Sequence, residues 1–170
     1  MAEENFIEIQ DRFVQHWGRL GSAWGVNRTM TQIHALLMVN DEPLTTDDIM
    51  DRLKISRGNA HKNLKELSQW GVVRSQIKAG DRKDYFVAEK EPWKMLCMLA
   101  RERKRREIEP ALEALEDCLQ ASEGMKGEDS KAFREQLKEL QEFLEMADRV
   151  LGRLGRSEKG LVLKWMTKML

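Results

Sequence analysis

Residues 44–87 read LTTDDIMDRLKISRGNAHKNLKELSQWGVVRSQIKAGDRKDYFV, and their order decides the fold. Thr45 precedes Asp47 and Asp48, an N-cap followed by acids at the positive end of a helix. Ile49, Met50 and Leu53 supply its apolar face. After a break at Lys54-Ile55, Ser56 offers a second cap. Ala60, Leu64, Leu67 and Trp70 then follow at i, i+4, i+7 and i+10, one helical stripe. Gly71 suits the left-handed stop that ends such a helix. Val72, Val73 and Ile77 on one side, and Tyr85, Phe86 and Val87 on the other, favour extended structure around a cationic turn. Helix, turn, helix and hairpin in that order make a winged helix-turn-helix.

The polar side of the second helix is cationic from its first turn. Between Arg52 and Lys83 there are nine Lys and Arg (52, 54, 57, 62, 65, 74, 78, 82, 83) against Glu66 and Asp81; nine minus two is +7, in a chain of formal net charge +0. Charge gathered in this way is the footprint of phosphate binding. Ser56, Arg57, Asn59, His61, Lys62 and Lys65 stand where a recognition helix meets base edges or nearby phosphates. Arg suits guanine O6 and N7, and Asn suits adenine N6 and N7. Lys78, Arg82 and Lys83 place cations at the wing. Gly58 lowers helix propensity, which close approach to DNA or internal packing would each explain. A winged-helix adaptor that binds protein instead of DNA is the competing class.

Outward from this core, the segment resembles the MarR superfamily of bacterial transcriptional regulators, and within it the branch of the glycine-betaine-synthesis repressor GbsR. The resemblance covers roughly residues 6–120. It rests on FVQHWGRLGSAWGVNRTMTQIHALL (13–37), SRGNAHKNLKELSQWGVV (56–73) and the wing GDRKDYFVAEKEPW (80–93), where Asp81-Arg82 is similar to the superfamily's acid–arginine signature. It implies a homodimer on a pseudo-palindromic operator, usually repressing, and in some relatives released by a small effector, choline in the case of GbsR.

The flanks complete a mainly α fold with a small β-hairpin wing and long C-terminal dimerisation helices. Phe6, Ile9, Phe13, Trp17 and Leu20 predict a helix from about Asn5 to Leu20 with that face buried. Thr29 and Gln32 form a candidate capping box for the helix that follows. Glu91-Pro92-Trp93 starts a long helix, proline being tolerated in a first turn, and Pro110 is expected to bend it. Its middle, Arg101 to Arg106, reads chiefly as a solvated face with local pairs to Glu102 and Glu107. After a polar turn, Phe133, Leu137, Leu140, Leu144, Ala147, Leu151 and Leu154 carry another helix, with Gly152 and Gly155 marking its decay. Leu161 to Leu170 reads as a short amphipathic helix. The expected domains are residues 1–91, the DNA-binding part, and 92–170, the helical dimerisation region.

Composition sets the remaining bounds. Hydrophobic residues make up 41% and charged residues 34%, and no apolar run approaches a membrane span. A cytoplasmic protein is expected, its partners double-stranded DNA and a second copy. Cys97 and Cys118 sit in apolar helical patterns, as buried thiols do. His16, His34 and His61 fall on three helices without metal-ligand spacing, and no nucleophile or phosphate-loop motif appears, so neither an enzyme nor a cofactor is expected. Phe13, Trp17, Trp24 and Trp93 are candidates for an effector cage, since aromatic faces hold quaternary ammonium groups. Core or interface packing is their more ordinary use.

Overall fold

The computed structural model describes residues 2–156, with side chains from Phe6 onward. The expected helix from Leu161 to Leu170 lies outside the described residues. The chain divides into two compact units between Met95 and Leu96.

In the first unit, α1 (Ala2–Ala23) packs on α2 (Arg28–Val39), followed by β1 (Leu44–Thr45), α3 (Thr46–Leu53), α4 (Arg57–Gln69), β2 (Val73–Ile77) and β3 (Asp84–Ala88). The sheet order is β1-β3-β2, antiparallel throughout, with Thr45 opposite Tyr85 and Ser75 opposite Phe86. The wing thus has a third strand, only two residues long, beyond the expected hairpin. Ile33, Leu36, Ile49, Ala60, Leu64, Val72 and Val73 lie almost fully buried and form the core under the helix-turn-helix.

Caps fix the helix starts. Thr45 Oγ1 accepts from the Asp48 backbone N–H, and the Asp48 carboxylate accepts from the Thr45 N–H, a reciprocal box. The Thr45 hydroxyl also donates to that carboxylate at 2.7 Å, and this bond first, with the one from the Thr45 N–H second, holds the Asp48 pKa below its usual value. Ser56 Oγ accepts from Asn59 N–H at α4. At α2 the cap is Asn27, which accepts from Met30 N–H. This corrects the Thr29–Gln32 box, since Gln32 donates instead to Gln15 on α1. Lys54, at φ 55°, closes α3 in the left-handed region, and Gly71, at φ 77°, does so after α4.

The buried face of α1 is also corrected. Phe6, Ile9 and Leu20 are exposed, and Phe13 and Trp17 are half-buried. The seam against α2 is instead Val14, Gly18 and Gly21. A Cβ on Gly18 would stand 2.6 Å from Gln32 Cγ, and one on Gly21 would stand 2.2 Å from Thr31 Cγ2. Missing side chains let the helices touch, so the large apolar residues lie elsewhere on α1.

The second unit takes up α5 (Pro92–Arg103) from Leu96. A π-helical turn (Lys104–Ile108), α6 (Glu109–Ala121) and α7 (Glu128–Arg156) follow. The π turn sits just before Pro110. Proline clashes with the carbonyl one turn back, and the wider turn, in which Glu109 N–H reaches Lys104 O, is a known accommodation. The charge run is satisfied internally. Arg103 pairs with Glu107, Lys104 with Glu109 and Asp148, and Arg105 and Arg106 with the buried Glu102. Gly152 and Gly155 do not end α7. They lie buried, and a Cβ on Gly155 would come 2.5 Å from Arg101 Cγ. Cys97 is buried as expected, whereas Cys118 is exposed on α6.

Candidate nucleic-acid interface

The outward face of α4 begins with Gly58 and continues through Lys62, Lys65 and Gln69 at i, i+4, i+7 and i+11, all exposed. A Cβ on Gly58 would meet nothing within 4 Å, so no internal packing requires glycine there. Arg57 and Asn59 flank this face in the first turn, and His61 is exposed one turn on. The opposite face, with Ala60, Asn63, Leu64 and Leu67, is buried. The fold therefore brings the expected Arg57, Asn59, His61, Lys62 and Lys65 to one solvent-facing side of a helix whose cap is Ser56.

Two of these side chains are held by partners the sequence did not single out. Arg57 Nη2 donates to Asp47 Oδ1 at 2.6 Å. Asn63 Nδ2 donates to Asn59 Oδ1 at 2.7 Å and to the Asn59 carbonyl at 2.8 Å. A polar residue inside the apolar stripe of α4 was the available signal for Asn63. The sequence alone marks Asp47 only as an acid at the positive end of α3. Arg52, by contrast, is drawn from the basic cluster, because it pairs with Asp11 of α1 at 3.0 Å.

At the wing, Lys78, Arg82 and Lys83 are all exposed. The turn between them is braced. Asp81 accepts from the Tyr85 hydroxyl at 2.7 Å and from Lys83 N–H at 3.0 Å, and Lys78 Nζ lies 4.3 Å from the centre of the Tyr85 ring. These bonds hold the Asp81 carboxyl below its ordinary pKa, the Tyr85 hydroxyl being the largest cause, and raise that of Tyr85 in return. The bracing keeps Lys78 over the ring and Lys83 at the start of β3 (Asp84–Ala88), so both cations leave the sheet from a defined turn.

Of the four aromatic candidates, Phe13 and Trp17 stack with ring centroids 5.5 Å apart on α1. Trp24 is 64% exposed beyond the end of that helix. Trp93 opens α5, its N–H donating to Glu91. His16 lies against Arg19 on the surface of α1, and His34 is buried in α2. Among the described residues, no group of three or more His, Cys, Asp or Glu could hold a metal ion, and no helix is long and apolar enough to cross a membrane.

Comparison with known proteins agrees with this geometry. The MarR family model matches residues 24–84, from the end of α1 to the start of β3. The HTH-type transcriptional repressor GbsR of Bacillus subtilis (strain 168) is 26% identical over 95 residues, which cover 56% of this chain and 52% of GbsR. The match thus spans about half the length of that relative. A crystal structure of a transcriptional regulator has the same fold, with a TM-score of 0.67 at 21% identity over 86% of this chain and 96% of that one. Residues 24–84 therefore form a winged helix-turn-helix that matches the MarR family, in a chain similar to GbsR.

Proposed function

We propose that this protein is a transcription regulator that binds duplex DNA as a homodimer and represses by occluding a promoter. The observation that carries the reading is the outward face of α4, where Arg57, Asn59, His61, Lys62 and Lys65 surround a glycine whose outer side is empty. The first turns of a recognition helix enter the major groove. Ser56 N-caps that helix and stands at its leading end, beside a phosphate. Lys78, Arg82 and Lys83 run the wing along the backbone or into the minor groove, where cations are favoured.

Dimerisation rests on unpartnered apolar surface. Phe6, Ile9 and Leu20 line one side of α1, and Phe133, Leu140, Phe143, Met146 and Val150 one side of α7, each 44–60% exposed. Contiguous apolar surface of this kind marks an interaction site. A two-fold pair would set two α4 helices one DNA turn apart, roughly 34 Å. The helices after residue 92 then serve as the dimerisation region. The relative's repressor activity supports the negative sign of regulation. An effector held by the Phe13–Trp17 stack, with Trp24 and Trp93, would complete the regulator.

The test is a genomic DNA pull-down with purified protein at two salt concentrations, followed by sequencing. An inverted repeat with half-sites one turn apart is the expected result. Within it, Arg57→Ala should relax the preference at one base pair. Lys83→Ala should weaken all sequences alike and flatten the salt slope. DNA without a motif, lost at the higher salt, would leave only phosphate attraction and favour the protein adaptor.

A further inference from the structure

α7 (Glu128–Arg156) has two apolar sides. The inner one, with Leu137, Leu144 and Leu151 half-buried and Gly152 and Gly155 buried, packs inside its own unit. A Cβ on Gly152 would lie 3.7 Å from Lys104 Cε, and one on Gly155 2.5 Å from Arg101 Cγ. The outer side carries Phe133, Leu140, Phe143, Met146 and Val150, each 44–58% exposed. With Gln136, Ala147 and Leu154 these residues recur at steps of three and four, the spacing by which one helix seats against another. A helix held in its own unit needs one such side, and the second has no cover among the described residues.

The charges beside the outer seam say what fits there. Residues seven apart share one position of the repeat, and the row along the edge of the seam reads Glu139, Met146, Arg153. Both charged members are exposed, and neither pairs with another side chain among the described residues. The row is antisymmetric about Met146, with an acid seven residues before it and a base seven after. A helix dipole favours acids near its start, but only within the first turn, and Glu139 lies well inside α7. A second α7 laid antiparallel about Met146 sets each Glu139 level with an Arg153 of the other copy. It also brings Phe143 level with Val150, so the apolar seam closes in the same register. A parallel pair would bring Glu139 level with Glu139 and Arg153 with Arg153.

We infer that α7 pairs antiparallel with the same helix of a second copy of this chain, the two-fold axis passing at Met146 and Glu139 of each copy meeting Arg153 of the other. The inference rests on the homodimer proposed above and names its partner surface, orientation and register. A two-fold contact uses each pair twice, so the two residues also decide which chains can pair, as flanking charges do in coiled coils.

Charge exchange tests it in the full chain, by sedimentation at low salt. Glu139→Arg and Arg153→Glu should each weaken dimerisation by roughly ten-fold, because a favourable pair becomes a repulsive one at two places. The double variant should recover wild-type dimerisation, and an equimolar mixture of the two single variants should form the mixed dimer. Both positions are exposed, and a thermal melt checks that each variant is folded. Spin labels check the orientation in a Cys118→Ser background. Labels at Met146→Cys should lie close together, whereas labels at Lys131→Cys should be about 45 Å apart along the pair. Single variants that dimerise as wild type does, a loss that neither the double variant nor the mixture restores, or a short distance at Lys131→Cys overturns the inference and leaves the dimer to another face such as α1. A wild-type chain that stays monomeric removes the dimer and the inference together, and residues 161–170 of the same chain then become the candidate cover for the seam.

Discussion

Arg57 Nη2 donates to Asp47 Oδ1 at 2.6 Å, tying the first turn of α4 to the first turn of α3. The guanidinium has five N–H donors in a rigid fork, so the contact leaves several for a base while restricting where they point. Both side chains are substantially exposed, and such a pair adds at most about 1 kcal/mol to folding. Its consequence is therefore expected in recognition. Asp47→Ala should lower the melting temperature by no more than a few degrees and slightly strengthen binding to scrambled DNA, since one negative charge is removed beside Arg57. Preference for the selected site over scrambled duplex should fall several-fold, because Arg57 becomes free to reach phosphates. Competition binding at fixed salt measures that ratio. An unchanged ratio would mean that Arg57 finds its base without help from Asp47.

Gly58 separates helix stability from DNA contact. Alanine is better than glycine in a helix by about 1 kcal/mol, less near an end, and at Gly58 the new methyl would meet nothing within 4 Å. Gly58→Ala should thus raise the melting temperature by a degree or more. The methyl would project from the centre of the face proposed to meet the groove, and affinity for the selected operator should then drop about ten-fold. Thermal melts and anisotropy titrations on the same preparation check both. A variant that is more stable and binds equally well would show that the DNA backbone stays clear of this turn.

How legible these features were depends on what each signal encodes. Thr45, Ser56 and Gly71 mark helix ends through local chemistry, and they were readable because a cap involves only neighbours in sequence. The cations of α4 and the wing were readable because solvent-facing charge needs no partner. The seam of α1 was not, because Gly18 and Gly21 bury a helix by having no side chain, and a search for large apolar residues passes over them. The two residues of β1 give too short a pattern to register. Asn63 escaped notice because its partner is a main-chain carbonyl and a side chain one turn back, a relation that exists only once the helix has formed.

Gly21 sets how closely α1 can approach α2. A Cβ there would lie 2.2 Å from Thr31 Cγ2 and 2.5 Å from its Oγ1. Thr31 is branched, and its hydroxyl donates back to its own helix, to Arg28 O at 2.9 Å, so it has little room to move. Overpacking of this kind costs roughly 1–3 kcal/mol, more than the gain in helix propensity from replacing glycine. Gly21→Ala should therefore lower the unfolding midpoint in urea, and Gly21→Leu should lower it further. Gly25, at φ 74° with open space around it, serves as the control position for crowding, since a side chain there meets backbone strain but no neighbour. If Gly21→Ala is neutral, α1 can slide along α2 and the seam does not fix their register.

His34 gives the first unit a pH dependence. Its ring is 6% exposed, and Nε2 has no hydrogen-bond partner. Burial disfavours the charged form and lowers its pKa from 6.5 to about 4. Above pH 6.5 the ring is neutral in both folded and unfolded chains and has no effect on the balance. As pH falls below 6.5, the unfolded chain takes up the proton first, so stability declines until the folded ring titrates near pH 4. At about 1.4 kcal/mol per pH unit, the loss is about 2 kcal/mol at pH 5 and about 3 kcal/mol at pH 4. Asp48, whose pKa is depressed by Thr45, loses its contribution only below its ordinary value of 3.8, so the two windows separate. His34→Leu should flatten the stability profile between pH 7 and pH 5 and be the more stable protein at pH 5. Urea melts of both proteins across that range decide the matter. Parallel profiles would mean that the buried ring takes up its proton in the folded chain as readily as in the unfolded one.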